Sequence, residues 1–231
     1  MKQLIFLLLT AVLTTSAFGQ QSKYNFGLEG SPSMTFLYGN DIINKYHKPV
    51  LGFSGGFSFQ YNFPKIFSIR TNVAFERKGS EYNNMFYYTN QNGDTIGSEK
   101  VIAYVHFDYL TLPLLFRASF GKKIKYFFNT GFFFGYLVKQ ININEATQYL
   151  PANTIDNISR DKRFDIGVSA GLGLEIPIKD KIFITFEVRN NLGLYNVSKV
   201  PVSNDGTIKT NSTNLIIGLA YKFGTRQTET K

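Results

Sequence analysis

Apolar residues recur at every second position over most of the chain, interleaved with glycine, serine, asparagine and occasional charges. The pattern is plainest between Arg163 and Ile176. There Phe164, Ile166, Val168, Leu172, Leu174 and Ile176 alternate with Asp165, Gly167, Ser169, Gly171, Gly173 and Glu175. Strict alternation marks strands with two unlike faces, and helical periodicity fits none of these segments. Eight strands are expected: Lys23–Ser31, Val50–Tyr61, Ile66–Gly79, Ala103–Ser119, Lys125–Lys139, Arg163–Ile176, Ile182–Leu192 and Asn214–Phe223.

The connections alternate in length. Short turns are expected at Asn62–Lys65, Gly121–Ile124 and Ile178–Lys181, and long loops at Tyr38–Lys48, Ser80–Lys100, Gln140–Lys162 and Gly193–Ser212. Asn92-Gly93-Asp94 and Asn204-Asp205-Gly206 are hairpin signals, so the flanking strands should extend into ribbons there. Pro151-Ala152-Asn153 reads only as a turn. Short turns at one end and long loops at the other is the layout of an outer-membrane barrel, with the short turns periplasmic.

The quality of the second face separates a membrane barrel from a soluble one. Phe, Leu, Ile, Val and Tyr occupy one face; the other is Gly, Ser and Asn with few charges. A soluble barrel would need a charged exterior. Phenylalanine and tyrosine are also frequent at strand ends, as interfacial girdles require. Unpaired backbone groups are not tolerated in hydrocarbon, so the sheet must close. The expected fold class is therefore all-β: an eight-stranded antiparallel up-and-down transmembrane β-barrel with short periplasmic turns and long extracellular loops.

Residues 1–19 read MKQLIFLLLTAVLTTSAFG: a basic start, an apolar run and small residues before Gln20. That is the pattern of a secretory signal peptide. The expected division is signal peptide 1–19, barrel 20–224 and a polar tail 225–231. The absence of cysteine excludes disulfides, thiol nucleophiles and iron–sulfur clusters. The net charge of +9 raises the question of nucleic acid. The aromatics are assigned to lipid, however, and Lys65, Lys122, Lys123, Lys179 and Lys181 fall in turns. Attraction to lipid headgroups explains the charge, so outer-membrane lipids are the expected partner and nucleic acid is not.

An eight-stranded barrel has a lumen about as wide as its side chains. Its expected charged lining is Glu29, Arg70, Glu76, Lys78, Arg117, Asp165, Glu175, Glu187, Arg189 and Lys222. Counting from the short turns places Arg117 and Glu175 low, Glu29, Arg70, Glu187 and Arg189 in the middle, and Glu76, Lys78 and Asp165 high. Each layer holds both signs, which predicts pairing, because an unpaired buried charge costs several kcal/mol. The expected registers set Arg70 opposite Gly56, Pro113 opposite Gly131, and Glu187 and Arg189 near Gly171 and Gly173, where glycine leaves room for long side chains. The lumen is read as a charge-paired plug, with a narrow polar conduit as the alternative.

Catalytic and metal chemistry is thin. His106 and Asp108 share a face, but that of Leu110 and Leu112, so they form a polar rim rather than a lumen site. His47 reads as a solvated loop residue beside Lys45 and Lys48. No metal-ligand spacing stands out. Gly171-Leu172-Gly173 precedes no helix and is no dinucleotide motif. No enzyme and no cofactor is expected. Met85-Phe86-Tyr87-Tyr88 is expected to fold over the barrel mouth as a cap, or else to bind a neighbour.

Tyr109-Leu110-Thr111-Leu112-Pro113-Leu114-Leu115-Phe116-Arg117 resembles the YLxIPLLxK-type motif of the PorT-like outer-membrane β-barrel family. Phe75-Glu76-Arg77-Lys78-Gly79 is similar to that family's third strand, and Ile217-Gly218-Leu219-Ala220-Tyr221-Lys222-Phe223 to its closing strand. The resemblance implies an exported eight-stranded barrel without catalytic residues. It also implies a terminal aromatic read by the barrel-assembly machinery, and for one founding member a tie to protein secretion. A small porin, a secretion accessory and a rim hydrolase are the other readings.

Overall fold

The computed structural model describes residues 22–147, 151–202 and 206–225. The expected signal peptide, the 226–231 part of the tail and the Asn204-Asp205 part of the second hairpin signal lie outside them. Among the described residues ten strands run in chain order: β1 Ser22–Tyr38, β2 His47–Lys48, β3 Val50–Asn62, β4 Phe67–Thr89, β5 Thr95–Phe120, β6 Lys125–Asn144, β7 Asn153–Asp156, β8 Phe164–Lys179, β9 Ile182–Gly193 and β10 Lys209–Thr225. A six-residue helix, α1 (Asp41–Tyr46), follows β1, and a 3-10 turn spans Ile158–Arg160.

Every pairing is antiparallel. The long strands pair in the order β1–β3–β4–β5–β6–β8–β9–β10, and β10 returns to β1. The closure is uneven: the β4–β5 ladder runs out to Thr89↔Thr95, whereas β3–β4 stops at Phe53↔Arg77. The expected count of eight strands is too low. Segments read as loops add β2, paired to β4, and β7, paired to β6. The extended β4 and β6 offer free backbone groups there, and Asn153–Asp156 takes them up instead of ending as a turn.

Strand faces follow the alternation. Asp165, Gly167, Ser169 and Gly171 face inward, while Phe164, Ile166 and Leu172 face outward, Leu172 being 66% exposed. Every long strand carries large apolar side chains outward, among them Phe57, Leu114, Phe132, Phe186 and Ile217. β1 does not stop at Ser31. It continues through Pro32 to Tyr38 because β3 still pairs with it (Pro32↔Phe53). The cost appears on the other edge, where the β1–β10 ladder jumps from Gly30↔Ile217 to Ser33↔Asn214. Proline has no N–H to donate, and here the missing donor faces β10.

Two of the three expected registers shift. Arg70 pairs with Gln60 rather than Gly56, and Pro113 with Phe133 rather than Gly131. The first turn lies further along than expected. β3 runs to Asn62, and residues 63–66 make the reversal, with Lys65 at φ 71° and Pro64 kept out of the ladder. Glu187 and Arg189 do fall opposite Gly173 and Gly171.

The Asn92-Gly93-Asp94 tip closes a long β4–β5 ribbon, as expected, with Gly93 at φ 87°. β9 ends at Gly193, so no matching ribbon forms with β10. Met85, Phe86 and Tyr87 do not cap the barrel. Their backbone pairs with 98–100 and holds them on the exposed ribbon. The mouth is instead filled by Leu37, Ile43, Phe107, Tyr109 and Leu137, with Val105, Ile158 and Ile208 packed against them. α1 brings in Ile43 and is capped by the Asn40 side chain, which accepts from the Ile43 N–H at 2.9 Å.

Candidate functional site

The lumen is the site the strands build. Residues of one parity from all eight long strands converge there, and each charged side chain the sequence assigned inward, Lys222 excepted, joins an ion pair. At the end nearest the short turns, Arg117 is fully buried. Its Nη1 donates to Glu175 Oε1 at 2.8 Å, its Nε to Asn129 Oδ1 at 2.8 Å, and its Nη2 lies 3.5 Å from Glu187 Oε2. The guanidinium also stacks 3.6 Å from the Phe127 ring centroid.

One layer up, Arg189 grips both oxygens of Glu187, Nε at 2.6 Å and Nη2 at 2.9 Å, and donates Nη1 to Asn72 at 3.1 Å. Asn129 Nδ2 gives Glu187 a further donor at 2.8 Å. Arg70 pairs with Glu29 across β1, β3 and β4. Higher still, Lys78 Nζ donates to Asp165 Oδ2 at 2.9 Å and stands 3.9 Å from Glu76 Oε2. Thr210 donates to Asp165 at 2.6 Å, and Ser212 Oγ to Glu76 Oε1 at 2.6 Å. These pairs join nine of the ten charged side chains assigned inward. Lys222 is the exception: half-buried, it sits 4.8 Å over the Phe183 ring, outside the network.

The polar and aromatic members of the network were not singled out from the sequence: Asn72, Asn129, Asn191, Ser212 and Asn214, with Phe127 and Phe133 as faces for the cations. Their parity on the strands was the available signal. Glycines make the room. A Cβ at Gly173 would lie 2.5 Å from Phe127 Cζ, and one at Gly171 2.8 Å from Glu187 Oε1. Between the layers lies a small cavity of about 20 Å³ lined by Glu29, Asn72, Glu76, Arg189, Asn191 and Asn214 among others.

The outer rim carries separate chemistry. Asp108 faces outward with His106, but Arg77 holds both its oxygens, at 2.6 and 2.7 Å, and lies 5.4 Å over Phe53. His47 is not a solvated loop residue. It belongs to β2, its Nδ1 meets Ser80 Oγ at 2.6 Å, its ring stacks on Tyr82, and burial pulls its pKa down. Asp161 bridges Ser198 between two mouth loops, and burial pushes its carboxyl up to about 6 against the opposing pull of Arg160 and Lys199.

An antiparallel sheet returning on itself, oily outside and salt-bridged within, is the architecture of a membrane-embedded barrel. The chain belongs to the outer membrane protein beta-barrel domain family, whose model matches residues 18–199. That membership places it in the outer membrane. The fold is similar to Neisserial surface protein A (12% identity, 87% of this chain and 98% of that one, TM-score 0.47). It is similar to OprG of Pseudomonas aeruginosa (11% identity, 89% and 98%, TM-score 0.46) and to Ail of Yersinia pestis (12% identity, 87% and 99%, TM-score 0.39). None of the curated proteins matches the chain.

Proposed function

We propose that the protein is a sealed outer-membrane barrel with a structural or binding role, neither an enzyme nor a channel. The eight long strands form the membrane wall, and β2 and β7 stand beyond it on the extracellular side. The observation that carries this reading is the stack of ion pairs across the lumen, from Arg117–Glu175 up to Lys78–Asp165, with room between for roughly one water molecule. A hydrated ion or nutrient has no passage without breaking several buried pairs.

The ribbon β4–β5 supports the binding half of the reading, since it presents Met85, Phe86, Tyr87 and Ile96 to solvent. A hydrolase at the rim is disfavoured because Asp108 is already held by Arg77. The segment Tyr109–Arg117 supports placing the chain in the PorT-like branch. Membrane lipids are the proposed partners along the outer wall, and the barrel-assembly machinery the proposed reader of Phe223 during insertion.

Planar-bilayer conductance of the purified protein and of Arg70→Ala tests the plug. The wild type should pass no current, and Arg70→Ala should lower the urea midpoint of unfolding without opening a pore. Steady conductance in Arg70→Ala at unchanged stability would establish the narrow conduit instead.

A further inference from the structure

The outer wall is not uniformly covered by side chains. On the lipid side of β1, Gly30 and Gly55 are direct cross-strand partners, and both face outward. Lumen-facing glycines of β3 are forced: a Cβ at Gly52 would lie 2.2 Å from Arg77 O, and one at Gly56 2.1 Å from Val73 O. Gly30 and Gly55 are not. A Cβ there would find its nearest neighbour at 3.6 and 3.8 Å, ordinary contact distances. Interior packing therefore does not explain these two glycines.

Two residues further along the same face, Pro32 interrupts the β1–β10 ladder, and a groove of about 240 Å³ opens at the interruption. Met34, Leu51, Val188 and Leu215 form its apolar walls, and Thr213 stands at its edge. Thr213 belongs to a polar trio in which Asn190 Nδ2 donates to Asn211 Oδ1 and to Thr213 Oγ1, both at 2.9 Å; Thr213 is exposed and Asn190 half-buried, while Asn211 is buried.

We propose that this groove, continued by the bare backbone at Gly30 and Gly55, seats one acyl chain of a membrane lipid, with the lipid's polar head against Thr213 and Asn190. The inference rests on the outward band being the lipid-facing wall. An apolar slot ending in neutral hydrogen-bonding groups matches an amphiphile with a long chain and an ester or hydroxyl head. A second copy of the protein is a poorer fit, because a stable interface needs about 20–30 residues a side and this slot is lined by eight.

The chain contains no tryptophan, so a single introduced one reports cleanly. Leu51→Trp stands at the groove and Phe134→Trp on the far wall. Each is reconstituted in phosphatidylethanolamine–phosphatidylglycerol vesicles doped with chain-brominated phosphatidylethanolamine. At low brominated fraction, the initial quenching slope should be about threefold steeper for Leu51→Trp, the ratio expected of a site preferred by well under one tenfold step in affinity. Adding Gly30→Leu and Gly55→Leu, which fit the backbone as it stands, should bring that slope down to the Phe134→Trp value while folded, heat-modifiable migration persists. Equal slopes in the parent background would overturn the seat and leave the lipid-facing wall intact. So would weak quenching at Leu51→Trp together with a cross-linked dimer. No quenching at Phe134→Trp would remove the lipid-facing wall and the seat with it.

Discussion

At the scale of single residues the lumen behaves as a set of charges that tolerate no widow. Arg117 holds Glu175 and approaches Glu187 in a space with no water access. Its replacement by methionine keeps bulk but strands Glu175, while Glu187 stays on Arg189. Breaking a buried pair in this way costs about 3–5 kcal/mol, so Arg117→Met should move the urea midpoint of gel-assayed unfolding sharply down. Arg117→Met with Glu175→Gln should recover much of the loss, since Glu187 keeps Arg189 and no bare charge remains. The mouth offers the opposite case. Burial raises Asp161 to about 6, so the folded loops favour its protonated form. Their stability is greatest below the unfolded pKa near 4 and falls as pH rises through 6. Amide protection at Lys162 and Lys199, whose N–H groups donate to Val197 O and Arg160 O, should be lower at pH 8 than at pH 5, and Asp161→Asn should remove the difference.

At the scale of elements the ribbon and the wall are separable. Beyond Asn84↔Val101 the β4 and β5 strands pair, among the described residues, with each other, so the outer part of the ribbon should be dispensable for folding. Replacing residues 85–100 by Asn-Gly, which suits a two-residue hairpin, should shift stability by less than about 0.5 kcal/mol while abolishing any binding the ribbon performs. Equilibrium unfolding of the shortened chain checks the first half. The long strands and the inward charges were legible in the sequence because a period of two assigns each residue to a face without knowledge of contacts. What was not legible depends on pairing partners. Pro32 reads as a strand end until β3 is seen to carry β1 past it. His47 reads as solvated until β4 supplies Ser80 and Tyr82. The register at Arg70 failed at the turn set by Pro64 and by Lys65 in the left-handed region, and the one at Pro113 at the separate turn after β5, where Gly121 has φ 108°; each turn moves every pair of its own hairpin together.

For the whole molecule the decisive asymmetry is that the apolar residues lie outside and the ions within, the reverse of a water-soluble protein. Leu51, Leu172, Phe132, Phe57 and Leu215 are all more than half exposed on the outer surface, while Arg117, Asp165, Glu76 and Lys78 are sealed inside. Contiguous exposed apolar surface of this extent is incompatible with a monomer in water. In bilayer or detergent the same surface is at no disadvantage, and the lumen pairs are shielded from the solvent that would otherwise compete for them. The backbone pairing closes on itself through β1–β10, so denaturant must break the ring somewhere before any strand can leave; the Pro32 interruption makes that seam the weakest place. Pro32→Val, which restores an N–H facing β10, should therefore slow unfolding in urea, whereas Leu28→Val, which restores no ladder donor at an intact position of the same strand, should not. Unfolding rates followed by loss of the fast-migrating band in lipid vesicles decide it: a rate unchanged by Pro32→Val would place the point of opening elsewhere in the ring.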